Sequence, residues 1–153
     1  SNAVVPATPV ANGGFEGTPS PWAFAGHASW ASGTSHTGAN FALLGNRNKA
    51  SGSVSQSVTI PAGATGNLTL WLSVTSNETG STATDVAYVE IVDGSTTTVL
   101  GTYSNLNKAA AGAYSLKTLS AAAWRGKTVT LRFRVTTNNK FPTGFAIDDV
   151  AVN

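Results

Sequence analysis

Thr128-Val129-Thr130-Leu131-Arg132-Phe133-Arg134-Val135 alternates apolar and polar residues without a break. In an extended chain Val129, Leu131, Phe133 and Val135 fall on one face and Thr130, Arg132 and Arg134 on the other. A period of two sustained in this way is a half-buried β-strand, because a helix would scatter the same apolar side chains around its circumference. Asn67-Leu68-Thr69-Leu70-Trp71-Leu72-Ser73-Val74 repeats the pattern, with the leucines and Val74 inward and Trp71 among the outward residues.

Outward from these two strands, β-rich runs follow at 41–44, 52–60, 85–92, 97–103, 114–119 and 144–152, most of them bounded by Gly, Asn, Pro or Ser. About eight strands result, before any near the start of the chain. Pro61-Ala62-Gly63 reads as a turn, and Asp93-Gly94 as a tight hairpin in which Gly supplies a positive φ. Leu119-Ser120-Ala121-Ala122-Ala123-Trp124, stopped by Gly126, is the helix candidate, about one or two turns long. Many short strands with no helices between them predict an all-β fold, an antiparallel β-sandwich of the jelly-roll kind.

The 153 residues suit one domain. Residues 1–3, Ser1-Asn2-Ala3, read as a tag-cleavage scar, 4–11 as a short lead or linker remnant, and 12–153 as the domain. With neither a charged, apolar leader nor a run of about 18 apolar residues, a soluble fragment with no membrane partner is expected. Charged residues are 10% of the chain, a hydroxyl- and amide-rich composition expected of a secreted, extracellular protein. The absence of Cys removes any redox argument. Net charge is +2, with basic residues scattered from Arg47 to Lys140, which argues against nucleic acid as a partner.

Catalytic constellations are missing. His27 and His36 are the two histidines, and there is no Cys nucleophile, Gly-x-Ser-x-Gly elbow, His-Glu-x-x-His pair or phosphate loop. A non-catalytic domain is expected.

Asn12-Gly13-Gly14-Phe15-Glu16 with Trp22, the turn Ser35-His36-Thr37-Gly38-Ala39-Asn40, and the closing Phe145-Ala146-Ile147-Asp148-Asp149-Val150 together resemble the carbohydrate-binding jelly rolls of family 4 and other galactose-binding-like domains. Val54 to Gly63, Thr102 to Asn107 and Trp124 to Phe133 are similar to C-terminal domains of secreted actinobacterial peptidases, including sedolisin-type enzymes. The resemblance implies that the opening and closing motifs meet in space, and that the domain is attached to a parent catalytic domain. The implied partner is a polysaccharide or glycan. The alternative implied role is a peptidase tail serving stability, secretion or protein-substrate capture.

The resemblance also implies one structural calcium ion. Transferred position by position, its ligands are Gly14 by a main-chain oxygen, Glu16, Thr37, Asn40 and Asp148. Calcium takes six to eight oxygens, for which a few carboxylates plus carbonyls suffice. The metal-free alternative is that Glu16 accepts main-chain N–H groups and Asp148 or Asp149 caps a strand end. Alternation sends Asp148 and Asp149 to opposite sides of their strand, and Asp148 is preferred.

Sugars are held by flat aromatic faces and by polar side chains that bond their hydroxyls. Trp71 stands out because its indole is turned away from the leucine-lined face. If the strands at 85–92 and 128–135 lie in the same sheet, Tyr88, Glu90, Arg132 and Arg134 share that outer face with Trp71 as a ligand platform. The bland alternative packs Trp71 under a loop and leaves Glu90, Arg132 and Arg134 as a solvated charge cluster. Trp22 is expected in the core, and Trp30 and Trp124 are open between binding and packing.

Overall fold

The computed structural model describes residues 9–153. The scar assigned to 1–3 and the lead as far as residue 8 lie outside the described residues. Ten strands follow in chain order: β1 (Ala23–Gly26), β2 (Ala28–Ser32), β3 (Asn40–Gly45), β4 (Ser51–Thr59), β5 (Asn67–Ser76), β6 (Val86–Asp93), β7 (Thr96–Ser104), β8 (Ser115–Ser120), β9 (Thr128–Thr136) and β10 (Thr143–Val152). They form two five-stranded sheets in the orders β1-β4-β9-β6-β7 and β2-β3-β10-β5-β8, and every pairing is antiparallel. The fold is the expected all-β sandwich.

The period-two pattern is what closes it. Val129, Leu131, Phe133 and Val135 of β9 meet Leu68, Leu70, Leu72 and Val74 of β5 in one core, each no more than 4% exposed. Burying a side chain of this size contributes about 2 kcal/mol relative to leaving it in water. Gly94, at φ +60°, turns the β6–β7 hairpin, with Asp93 opposite Thr96. The helix candidate contracts to a single 3₁₀ turn, Ala122–Trp124, because β8 keeps its pairing with β5 as far as Ser120.

The packed domain reaches back before Asn12. Val10 is 5% exposed in the core, and Ala11 exchanges two hydrogen bonds with the Gln56 side chain, at 2.7 Å and 2.8 Å. Residues 10 and 11 of the stretch read as a lead therefore pack against the sandwich. The opening motif is a turn rather than a strand, since Phe15 N–H closes onto Asn12 O at 3.0 Å. It does meet the closing motif, as Val150 N–H donates to Gly13 O at 3.0 Å. Trp22 is buried, stacked on Phe15 with ring centroids 4.9 Å apart.

Candidate functional site

β6 and β9 are neighbours, and their register sets Tyr88 opposite Arg134 and Glu90 opposite Arg132. With Val89, Ile91, Leu131 and Phe133 inward, all four face outward on the first sheet. Glu90 is nevertheless 1% exposed, because the two arginines close over it. Arg132 Nε and Arg134 Nε both donate to Glu90 Oε1 at 3.0 Å, and Arg134 Nη2 donates to Oε2 at 3.1 Å. Burial pushes the Glu90 carboxyl up, but the hydrogen bonds and charges of Arg134 and Arg132 outweigh it and hold the group below its ordinary range. Arg134 also lies over the Tyr88 ring, 4.3 Å from its centroid.

β4 extends this face. Ser53 lies opposite Arg134 and Ser55 opposite Arg132, while Val54 and Val58 point into the core. Ala25, Gly26, Ser51, Gly52, Ser53, Arg132 and Arg134 surround a hollow of about 270 Å³. The serines were legible as the alternation Ser51-Gly52-Ser53-Val54-Ser55-Gln56-Ser57, a polar stripe that aromatic-centred reasoning passed over.

Trp71 does not belong to this face. Its strand, β5, is in the second sheet, so the core separates Trp71 from Tyr88, Glu90, Arg132 and Arg134. Alternation says that Trp71 points outward, but each sheet has its own outside. Its indole is roofed by the His36 ring, with centroids 3.9 Å apart and planes inclined 14°, and Tyr114 stands 5.6 Å from His36 on the same loop cluster. Packing under a loop is the arrangement observed. Trp30 sits on β2, 39% exposed, with its Nε1 donating to Phe15 O, and Trp124 packs against the core edge.

Glu16, Thr37, Asn40 and Asp148 of the implied calcium set meet at the loop 35–40. Ala39 and Asn40 N–H donate to Glu16 Oε1 at 2.9 and 2.8 Å, and His36 and Thr37 N–H donate to Asp148 Oδ2 at 2.9 and 3.1 Å. The Asn40 amide turns away and donates to Ala31 O. Thr37 Oγ1 donates to both oxygens of Asp149, and His36 Nδ1 hydrogen-bonds Asp149 Oδ2 at 2.6 Å. Both aspartates therefore reach one loop, against the alternation expected of them. A bulge between Asp148 and Ala151 breaks the period, with Asp149 at φ +47°, a region that Asp tolerates better than most residues.

Burial, with the charge of Asp149, raises the Asp148 carboxyl against the lowering effect of its N–H donors. Carboxylates from both ends of the domain are the right ligand type for calcium. As arranged, Glu16 Oε1 and both Asp148 oxygens accept N–H donors, and among the described residues no three His, Asp or Glu side chains form a group that could hold a metal ion. Without an ion, this geometry is a hydrogen-bonded clamp between the loop and the two carboxylates.

With this geometry in view, the sandwich can be set beside solved structures. TmCBM61 in complex with β-1,4-galactotriose superposes with a TM-score of 0.69 at 17% identity, over 96% of this chain and 98% of that one. The two chains share the β-sandwich fold. A family 11 carbohydrate-binding module from Clostridium thermocellum, in complex with a mixed-linked tetrasaccharide, matches at 0.52 and 13% identity over 91% of each chain. The K1 cleaved adhesin domain of Lys-gingipain from Porphyromonas gingivalis W83 matches at 0.63 and 14% identity, over 92% of this chain and 95% of that one. No protein-family model matches the chain, and no curated protein matches it.

Proposed function

We propose that this domain binds carbohydrate on the outer face of its first sheet, as a non-catalytic ancillary module of a secreted enzyme. The observation that carries the reading is the hollow bounded by Arg132, Arg134, Ser51 and Ser53 on a sheet face. Its walls are rigid strands, its polar groups are hydroxyls and guanidinium N–H donors suited to sugar oxygens, and Glu90 fixes the arginines in place. Two solved structures of this fold carry a galactotriose and a mixed-linked tetrasaccharide. Site residues in this reading are Tyr88, Glu90, Arg132 and Arg134 with Ser51 and Ser53, and Trp71 is excluded.

The test is retention of the isolated domain on insoluble polysaccharides together with a glycan array, using the parent protein and Ser53→Trp, which fills the hollow. Binding that Ser53→Trp abolishes supports the site. Absence of binding to every glycan overturns it and favours the second reading, a peptidase tail that captures protein, for which the shared fold of the Lys-gingipain adhesin domain speaks.

A structural calcium ion is a subsidiary part of the proposal. What supports it is the convergence of Glu16 and Asp148 on one loop. A thermal midpoint raised by calcium and lowered by chelator supports the ion, and identical midpoints overturn it.

A further inference from the structure

The hollow on the first sheet carries a sign as well as a shape. One carboxylate, Glu90, stands between two guanidinium groups, so the trio has one positive charge in excess. Each guanidinium has five N–H donors. The three bonds to Glu90 use Nε of Arg132 and Nε and Nη2 of Arg134, leaving Arg132 with both Nη groups and Arg134 with Nη1. The two side chains are 30% and 36% exposed, and no Asp or Glu is among the residues lining the hollow.

Aromatic stacking, the other common route to a sugar, is compromised here. The Tyr88 ring is covered on one side by Arg134 at 4.3 Å. What the face offers a ligand is a pair of forked, charged donors flanked by serine hydroxyls. Arg forks match planar or tetrahedral oxyanions in a way that neutral hydroxyls do not, and donors already pinned lose little rotamer freedom on binding.

We propose that this hollow binds the anionic group of an acidic glycan, a sugar carboxylate or a sulfate ester, with Arg132 and Arg134 as the anion-binding residues and Glu90 as their positioning residue. This deepens the carbohydrate-binding reading and rests on it. Ser51 and Ser53 then bond hydroxyls next to the acidic group. Glu90 acts by holding both Nε edges and Nη2 of Arg134, which leaves both Nη groups of Arg132 and Nη1 of Arg134 for a ligand.

Net positive charge alone would draw any polyanion, so the test uses short ligands. Calorimetry compares three trisaccharides: neutral β-1,4-galactotriose, trigalacturonate and a sulfated galactotriose. An anionic ligand is expected to bind about tenfold more tightly than the neutral one. Whether trigalacturonate or the sulfated sugar leads identifies the group. The advantage is expected to vanish in Arg132→Gln and Arg134→Gln and to persist in Lys127→Gln, whose charge is paired with Asp93 elsewhere.

If the arginine variants fail to fold, Ser53→Asp tests the same point by placing a carboxylate opposite Arg134 while leaving the Glu90 bonds intact. Equal affinity for neutral and anionic ligands overturns this inference and leaves the carbohydrate-binding reading standing. Failure to bind any of the three overturns the anionic inference, while the carbohydrate-binding reading stands or falls on the glycan array. An anionic preference that survives Arg132→Gln and Arg134→Gln, or in their place Ser53→Asp, also overturns the inference.

Discussion

The His36 imidazole lies flat on the Trp71 indole, 3.9 Å from centroid to centroid. Its main-chain N–H is held by Asp148 and its ring by Asp149. Trp71 is thus the floor of a clamp that fastens the loop 35–40 to β10, which is why an outward-pointing aromatic here has a structural role. Trp71→Ala is expected to cost about 2 kcal/mol, since a half-buried stacked ring loses both burial and a face-to-face neighbour. For a domain of this size that is a fall in melting temperature of about 6 °C. The same variant should keep full glycan retention, because its face is across the core from the hollow. Lost retention with an unchanged midpoint would reverse the assignment of the two faces.

Glu90→Gln removes the carboxylate from between two guanidinium groups without changing its size. The expected loss is about 3 kcal/mol, as for breaking a buried ion pair from one side. The pH dependence has a definite sign. Because the folded Glu90 carboxyl lies below its ordinary value of 4.5, its contribution is complete above that pH and is lost as pH falls through the folded value. Denaturant midpoints measured from pH 6 downward should therefore fall less steeply in Glu90→Gln than in the parent. Parallel slopes would contradict the ion-pair account.

Gly13→Ala should be among the most damaging single-methyl changes in the chain. A Cβ built there comes 2.0 Å from Val150 O, a main-chain atom on a strand already bonded to Gly13. Neither partner can move without breaking the contact between the opening turn and β10. A loss of about 3 kcal/mol or more is expected in urea melts. A near-wild-type midpoint would show that the two motifs can separate without consequence.

Tyr114 provides an alkaline counterpart. Burial, followed by the charges of Asp148 and Asp149, pushes its phenol up to about 12 from an ordinary value of 10.0. A group that holds its proton more tightly when folded contributes stability that is complete below the unfolded value and lost as pH rises through the folded one. Midpoints should decline between pH 10 and 12, and Tyr114→Phe should decline less over the same window. Its hydroxyl also donates to Thr34 O at 2.8 Å, so Tyr114→Phe should start from a slightly lower midpoint at neutral pH.

The eight strands read from alternation all occur, because half-buried strands must repeat every two residues whichever sheet they join. β1 and β2 were not identified, being short edge strands whose residues are mostly exposed and carry little apolar signal. Alternation reports which side of a strand a residue takes, not which sheet the strand enters. That is how Tyr88, Glu90, Arg132 and Arg134 could be grouped correctly while Trp71 was grouped with them wrongly. Asp149 was passed over for a different reason: the bulge at Asp148 to Ala151 is a local departure from the period, and no single residue there announces it. Glu16 and Asp148, by contrast, were brought to one loop by the resemblance of the opening and closing motifs, and the structure joins them there.

The strand orders place the last two strands in the middle of the sandwich: β9 lies between β4 and β6, and β10 between β3 and β5. Neither sheet can therefore be completed before these two strands are available. Until β9 and β10 insert, the strands flanking those two positions have open edges. The pairs β1–β4, β2–β3, β5–β8 and β6–β7 can form first, but each sheet is joined only when its central strand inserts, so a truncation before β10 leaves open strand edges and is an aggregation hazard.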